Sequence, residues 1–301
     1  NFRQMKRRIL NIAVFRKETL YQKMRALIIY LVISAVFIGC TPILSIDAST
    51  QSVYHFSDTD KNISLLDISE TFGTYDGSFV LYDNNLDSWK IYNLEEATKR
   101  IPPESTYKIY DALLGLESGI ITPEHSSMTW NGDAFPFPSW EADQDLNSAM
   151  QNSVNWYFQA IDSQLGINRV QEFLNKIEYG NQTTSSNLDL YWSDFSLKIS
   201  PLEQVTLLKK FNTNEFHLNS QNVFSVKNAI KIASTPNGNF YGKTGTGRVN
   251  GQDINGWFIG YVETSDNSYY FATNIQSDSN ATGKKAFEIT SDILKKLHIW
   301  N

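Results

Sequence analysis

Apolar and polar positions change rhythm several times along the chain, and the first change is the plainest. Ala26 to Leu44 is nineteen residues without a charge. At ~1.5 Å rise per residue this covers roughly the hydrocarbon core of a bilayer. Every face of such a helix is apolar, which fits a transmembrane helix better than a buried helix of a globular domain. Gly39-Cys40 follows an apolar run, so a lipoprotein-type signal is the competing reading. Residues 9–24 mix apolar and basic side chains, as an interfacial helix does. They fit equally well as the tail of an upstream membrane domain.

From Ile46 onward about 255 residues remain, a single-domain length for a mixed fold. Ser45–Lys61 is polar and reads as a tether. Gly77–Tyr82 and Trp89–Tyr92 flank a turn at Asp83-Asn84-Asn85 and predict a β-hairpin. Ile101-Pro102-Pro103-Glu104 punctuates the chain before a helical stretch from Ser105 to about Leu116. Further helical stretches are expected at about 142–164, 167–178, 200–211, 225–234 and 284–298, and strands at about 239–246, 253–263 and 268–276. Two strands open the domain, helices fill the middle, and three strands and a helix close it. That order is not βαβ alternation. It predicts an α+β fold, an antiparallel sheet built from the two ends of the domain and flanked by helices.

Charge sharpens this division. Residues 1–25 hold eight Lys and Arg against Glu18 alone, a net +7; the whole chain is −6, so the other 276 residues carry −13. Positive charge marks the cytoplasmic flank of a membrane helix, which places residues 45–301 outside the cytoplasm. The expected layout is a basic cytoplasmic tail at 1–25, a transmembrane helix at 26–44, a tether at 45–61 and a globular domain at 62–301. The chain opens on Asn rather than Met, as a piece of a longer protein would. The acidic balance argues against a nucleic-acid partner. One cysteine, Cys40, excludes an internal disulfide framework, and the four scattered histidines (His55, His125, His217, His298) show no metal-binding spacing.

The candidate chemistry starts at Ser105-Thr106-Tyr107-Lys108, the only S-x-x-K of the chain. Positions i and i+3 share a helix face, so hydroxyl and amine can meet. A serine needs a base beside it to become a nucleophile, and a lysine serves only where its site keeps it neutral or alters it. Ser153-Val154-Asn155 lies 48 residues further on. Tyr179-Gly180-Asn181 reads as a turn after a helix. Lys243-Thr244-Gly245, on a predicted strand, offers a cation, a hydroxyl and open backbone N–H groups to a carboxylate-bearing ligand. Each piece alone has an ordinary structural explanation. Their order and separations together do not.

With these pieces in place the chain resembles the penicillin-recognising serine acyltransferases with the β-lactamase/transpeptidase-like fold, specifically their class D branch, over about residues 65–301. The branch-specific features are the Tyr-Gly-Asn turn, the serine 48 residues after the S-x-x-K serine, and the stretch from Tyr191-Trp192 through Leu197, Ile199, Ser200 and Pro201. The S-D-N loop of class A is absent. The apolar segment and basic tail ahead of the domain resemble the end of a BlaR/MecR-type β-lactam sensor-transducer. The resemblance implies that Ser105 attacks the β-lactam carbonyl. Lys108 is the implied base, N-carboxylated by CO2, and Ser153 passes a proton to the leaving nitrogen. Lys243, Thr244 and Gly245 hold the drug, its carboxylate falling to Lys243 and Thr244. The N–H groups of Ser105 and Thr246 form the oxyanion hole, and Trp192 steadies the carboxylated lysine. Lys284 falls where many class D enzymes carry a carboxylate-binding arginine, though it lacks the bidentate fork. The implied partners are β-lactam antibiotics, a membrane and a zinc metalloprotease upstream in the parent protein, whose motif is not in this chain. A homodimer is left open, and no metal is expected in the chain itself.

One residue departs from the branch. The position of Asn155 is normally apolar in class D hydrolases, where it keeps the lysine neutral and its carbamate dry. An amide there would hydrogen-bond the amine or compete for its partners and make the carbamate easier to lose. Turnover at ~100 per second needs a barrier near ~15 kcal/mol, whereas an acyl-enzyme lasting hours needs ~23. Losing the base is one of the few local changes large enough to supply a good part of that gap. The expectation is therefore a stoichiometric sensor, with a membrane-anchored class D β-lactamase as the alternative and a cell-wall transpeptidase or carboxypeptidase as the third reading. An aromatic segment, Trp130 with Phe135, Phe137 and Trp140, is expected as a wall of the drug site, a packed loop, or a contact surface.

Overall fold

The alternating side chains of the predicted strands feed two cores, one on each face of a single sheet. The structure, a computed structural model, describes residues 52–57 and 62–301. The basic tail, the apolar segment 26–44 and most of the tether lie outside these residues. No helix among the described residues is long and apolar enough to cross a membrane.

In chain order the elements are β1 (Asn62–Leu65), α1 (Ser69–Phe72), β2 (Asp76–Asp83), β3 (Ser88–Tyr92), α2 (Leu94–Thr98), α3 (Lys108–Glu117), α4 (Leu146–Gln151), α5 (Asn155–Leu165), α6 (Ile167–Ile177), α7 (Pro201–Asn212), α8 (Ser220–Ala229), β4 (Lys231–Thr235), β5 (Gly238–Val249), β6 (Gln252–Thr264), β7 (Ser268–Gln276) and α9 (Gly283–Lys296). The sheet order is β1-β3-β2-β7-β6-β5-β4. The chain's two ends meet where β2 pairs antiparallel with β7. Val80, Tyr82, Trp257, Ile259 and Tyr261 point to the larger core, shared with α3, α5 and α7. Phe79, Leu81, Phe258, Val262 and Phe271 point the other way, onto Ile289, Ile293 and Leu294 of α9. Each face follows the period of two that a pleated strand imposes.

Three expectations need correction. The sheet is mixed rather than wholly antiparallel, because β1 pairs parallel to β3. The stretch 142–164 is two helices, not one. The chain turns at Ser153, whose φ of +56° is left-handed, and neither helix runs through it. The stretch 225–234 divides as well. The helix ends at Ala229, and Lys231–Thr235 pairs antiparallel with the start of β5. That pairing reaches only as far as Tyr241, so β5 from Lys243 to Val249 has no strand partner on that side among the described residues.

Part of the expected tether lies on the domain. Val53 bridges Lys99, the Arg100 N–H donates to the Ser52 carbonyl, and the Tyr54 N–H donates to the Thr98 carbonyl. The segment after Thr98 leads straight to the S-x-x-K sequence.

The central helix is α3, buried along its length except at Glu117. It is apolar on nearly every face, as a helix enclosed by others must be. Gly115 permits that enclosure, since a Cβ there would stand 2.9 Å from Ile161 Cγ2 on α5. The α3–α5 contact sets the geometry of the cavity that opens beside it.

Candidate active site

Ser105 lies in a short 3-10 turn, Glu104–Tyr107, that continues directly into α3. The prolines ahead of it fix the approach. The Pro102 carbonyl accepts from Trp257 Nε1 at 2.8 Å and from Asn255 Nδ2 at 3.1 Å, which ties the turn to β6. Thr106 Oγ1 closes the turn on the Pro103 carbonyl at 2.6 Å. One helical turn later, Lys108 Nζ donates to Ser105 Oγ at 2.8 Å and to Asn155 Oδ1 at 2.6 Å. The same nitrogen lies 5.6 Å from the centre of the Phe158 ring and 5.9 Å from that of Trp192. Its side chain is buried. Burial, aided by the neighbouring charge of Lys243, drives the amine well below the usual lysine range.

The corner between α4 and α5 supplies Ser153. Lys243, buried on β5, donates to Ser153 Oγ at 3.0 Å and to the Thr244 carbonyl at 2.9 Å. Burial lowers this second lysine to about 7. Gly245 is where strand and nucleophile turn press together, for a Cβ there would lie 3.1 Å from the Pro103 carbonyl and 3.3 Å from the Ser105 nitrogen. Next along the strand, Thr246 Oγ1 accepts from the Gly283 N–H at 2.8 Å. The free edge of β5 thus brings the backbone at Gly245, one residue before Thr246, against the Ser105 nitrogen.

Ser105, Ser153, Asn155, Thr244, Gly245 and Thr246 are among the residues lining a cavity of about 410 Å³, and Lys108 and Lys243 are buried behind the two serines. A neutral amine has two N–H groups and one lone pair. With Asn155 taking one N–H, rotation about the Cε–Nζ bond brings the lone pair to Ser105 Oγ in place of the second N–H, and the hydroxyl proton then has an acceptor. The arrangement can activate a serine, receive an oxyanion and attract a carboxylate.

Other expected residues stand farther back. Tyr179 is buried, edge-on to Tyr107 and Tyr110. Gly180 has φ +51°, and a Cβ there would overlap the Lys198 carbonyl. Asn181 accepts from the Lys198 N–H at 2.9 Å and donates to the Ser196 carbonyl at 2.7 Å. The Tyr-Gly-Asn turn therefore holds the 191–199 segment that carries Trp192, rather than facing the cavity. Lys284 is exposed at the start of α9 and is not among the lining residues; Thr282 is. The aromatic segment contributes Phe137 and Trp140 to the cavity wall. Trp130 instead donates its ring N–H to the Asp133 carbonyl. The sequence alone does not single out Glu104, buried beside the nucleophile, nor the Arg248–Asp253 ion pair, Ser139, Asn152 and Thr282, which line the cavity.

Residues 70–295 match the penicillin-binding protein transpeptidase domain family. The chain belongs to that family. Within it, the chain is 43% identical to the Regulatory protein BlaR1 of Bacillus licheniformis, a match covering 100% of this chain and 50% of BlaR1. It therefore spans about half the length of that relative. The solved C-terminal domain of the Bacillus licheniformis BlaR penicillin-receptor superimposes with a TM-score of 0.78 at 46% identity, covering 80% of this chain and 99% of the domain. The Probable beta-lactamase YbxI of Bacillus subtilis (strain 168) is 37% identical, over 78% of this chain and 86% of its own. The fold of this penicillin-binding family member is thus the class D β-lactamase-like α+β fold.

Proposed function

We propose that the chain is the β-lactam-sensing part of a membrane signal transducer, acylated once at Ser105 and released slowly. Its likeness to the BlaR receptor domain favours sensing, and the observation that carries the reading is the hydrogen bond from Lys108 to Asn155.

The acylation step follows from the groups present. Ser105 Oγ bonds to the lactam carbonyl carbon and its proton passes to Lys108. The ring C–N bond breaks, and a proton returns through Ser153 to the ring nitrogen. The N–H groups of Ser105 and Thr246 receive the oxyanion, and Lys243 with Thr244 holds the drug's carboxylate. A buried neutral amine between Trp192 and Phe158 fits CO2 addition at Lys108, and CO2 bound there as a carbamate supplies a carboxylate base. Asn155 works against that state, because its amide oxygen takes an N–H of the uncarboxylated amine. Lys108 so held activates Ser105 but is poorly disposed to activate a water, and the ester persists.

In this reading residues 26–44 anchor the chain, 1–25 lie in the cytoplasm, and the domain lies outside it. The parent protein would carry a zinc metalloprotease upstream. The second reading, a membrane-anchored class D β-lactamase, is favoured by the 37% identity to YbxI.

Intact-mass spectrometry of the full chain with benzylpenicillin separates the two. The sensor gives one drug mass on Ser105 that lasts for hours. The hydrolase gives an adduct gone within seconds and an accumulating hydrolysed drug.

A further inference from the structure

Glu104 immediately precedes the nucleophile, and nothing in the acylation chemistry above uses it. Its side chain is 6% exposed. Its φ of +53° places a non-glycine residue in the left-handed region, a conformation that persists only where the surroundings impose it. Those surroundings are specific. The Glu104 N–H donates to the Trp192 carbonyl at 3.0 Å. Its carboxyl accepts from Asn255 Nδ2 at 3.2 Å, the amide that also holds the Pro102 carbonyl.

The rest of the side chain runs along β5. A Cβ on Gly245 would stand 3.1 Å from Glu104 Cβ, and one on Gly247 would overlap the Glu104 carboxyl itself. Thr246 lies between these two glycines. The carboxyl therefore sits beneath the backbone that offers the second oxyanion-hole N–H.

We propose that Glu104 is a positioning residue of the acylation step. Its neutral carboxyl wedges the nucleophile turn against the strand that carries Thr246, and its ionisation sets a negative charge beside the developing oxyanion. The inference rests on Ser105 being the acylated residue.

Burial raises this carboxyl to about 8, against the opposing pull of Asn255 and then Lys108. The group is thus neutral below that range and charged above it. The elements packed on it bring few competing charges. From α3 comes Lys108; β5 faces it with two glycines, β6 with Asn255, and the 191–199 segment with a carbonyl. Arg248 and Asp253, farther along the β5–β6 hairpin, are paired with each other.

The test is the acylation rate of the full chain by a chromogenic penicillin, wild type and Glu104→Gln, from pH 6 to pH 9.5. Taking the ratio of the two rates removes the limb contributed by Lys243, whereas Lys108 feels the Glu104 charge, so any shift of its limb belongs to the effect of that charge. The ratio of Gln variant to wild type is expected to be flat below pH 7 and to rise about tenfold above pH 8.5, the effect of a charge near an oxyanion. A ratio independent of pH overturns the proposal. Should the variant not fold, wild-type chain labelled with 13C at its glutamate carboxyl carbons decides the question instead. One resonance titrating near pH 8, far from the ordinary ~4.3, supports the proposal, and none above pH 6 overturns it. A wild type that takes up no drug at any pH contradicts the acylation reading itself, and the part given to Glu104 in that step falls with it.

Discussion

Lys108 and Lys243 are two buried amines behind one cavity, each bonded to a serine that lines it, and their surroundings differ in kind. Lys108 meets the nucleophile hydroxyl, an amide oxygen and two aromatic faces. Lys243 meets a hydroxyl and the carbonyl of its own neighbour, on the part of β5 that β4 does not pair. Burial lowers both. For Lys108 the charge of Lys243 adds to that desolvation, against the opposing pull of Asp111 and Glu104. One dry site does not keep two ammonium groups, so the pair divides the work. In the proposed mechanism the deeper amine is the base, and the other, near its midpoint at neutral pH, draws in an anion. Burial makes a lysine neutral, and its partners decide what the neutral amine does.

The largest effect expected from breaking this division is in Lys108→Ala. Its acylation rate should fall by ~10²–10⁴, the range for loss of a positioned base. Stopped-flow labelling with a fluorescent penicillin measures it. A change under tenfold would give the base role to another group. Ser153→Ala should cost less, ~10², since it removes a proton path and not the base.

A pH series sharpens the other half. Lys243 is a cation below about 7 and neutral above. The pre-acylation affinity for a penicillin should therefore fall about tenfold between pH 6 and pH 8, as its protonated fraction does. In Lys243→Arg the affinity should stay flat, because a guanidinium keeps its charge. Fast-mixing titrations give both series. A wild-type affinity that does not change with pH would remove Lys243 from carboxylate binding.

The smallest expected effect is mechanical. Gly115 lets α3, which carries Lys108, lie against Ile161 of α5, which begins at Asn155. Gly115→Ala should cost ~1–3 kcal/mol in overpacking, read as a lower melting temperature. Pushing the helices apart should also loosen the Lys108–Asn155 bond and shorten the acyl lifetime a few-fold. Ile161→Val in the same chain should restore part of both.

What was legible in the sequence depended on how local its cause is. Ser105 and Lys108 are one helical turn apart, so their meeting could be read from spacing. A sheet built from the two ends of the domain, with β5, β6 and β7 in a run, followed from the order of the elements, whereas the pairing of β2 with β7 is seen only in the structure. The break at Ser153 was hidden because apolar residues continue on both sides of it, although Asn152-Ser153 is a pair that tolerates a turn. The sequence of β4 reads as helix because Ala229, Ile230 and Ala233 suit either element, and only pairing with Gly238–Tyr241 decides it. The burial of Glu104 depends on Asn255 and Gly247, about 150 residues away, and no local signal carries that. Lys284 falls at a suitable separation, but the register of α9 leaves it exposed.

The most direct test of slow release is the acyl lifetime of Asn155→Val, measured by intact mass on the full chain after benzylpenicillin is removed. Valine takes away the amide oxygen that holds Lys108 and restores an apolar wall. Acylation is expected at a similar rate, with a lifetime about a hundredfold shorter, equal to ~2.7 kcal/mol off the deacylation barrier. An unchanged lifetime in a variant that still acylates would contradict the role given to Asn155, and the slow release would have to arise elsewhere in the cavity.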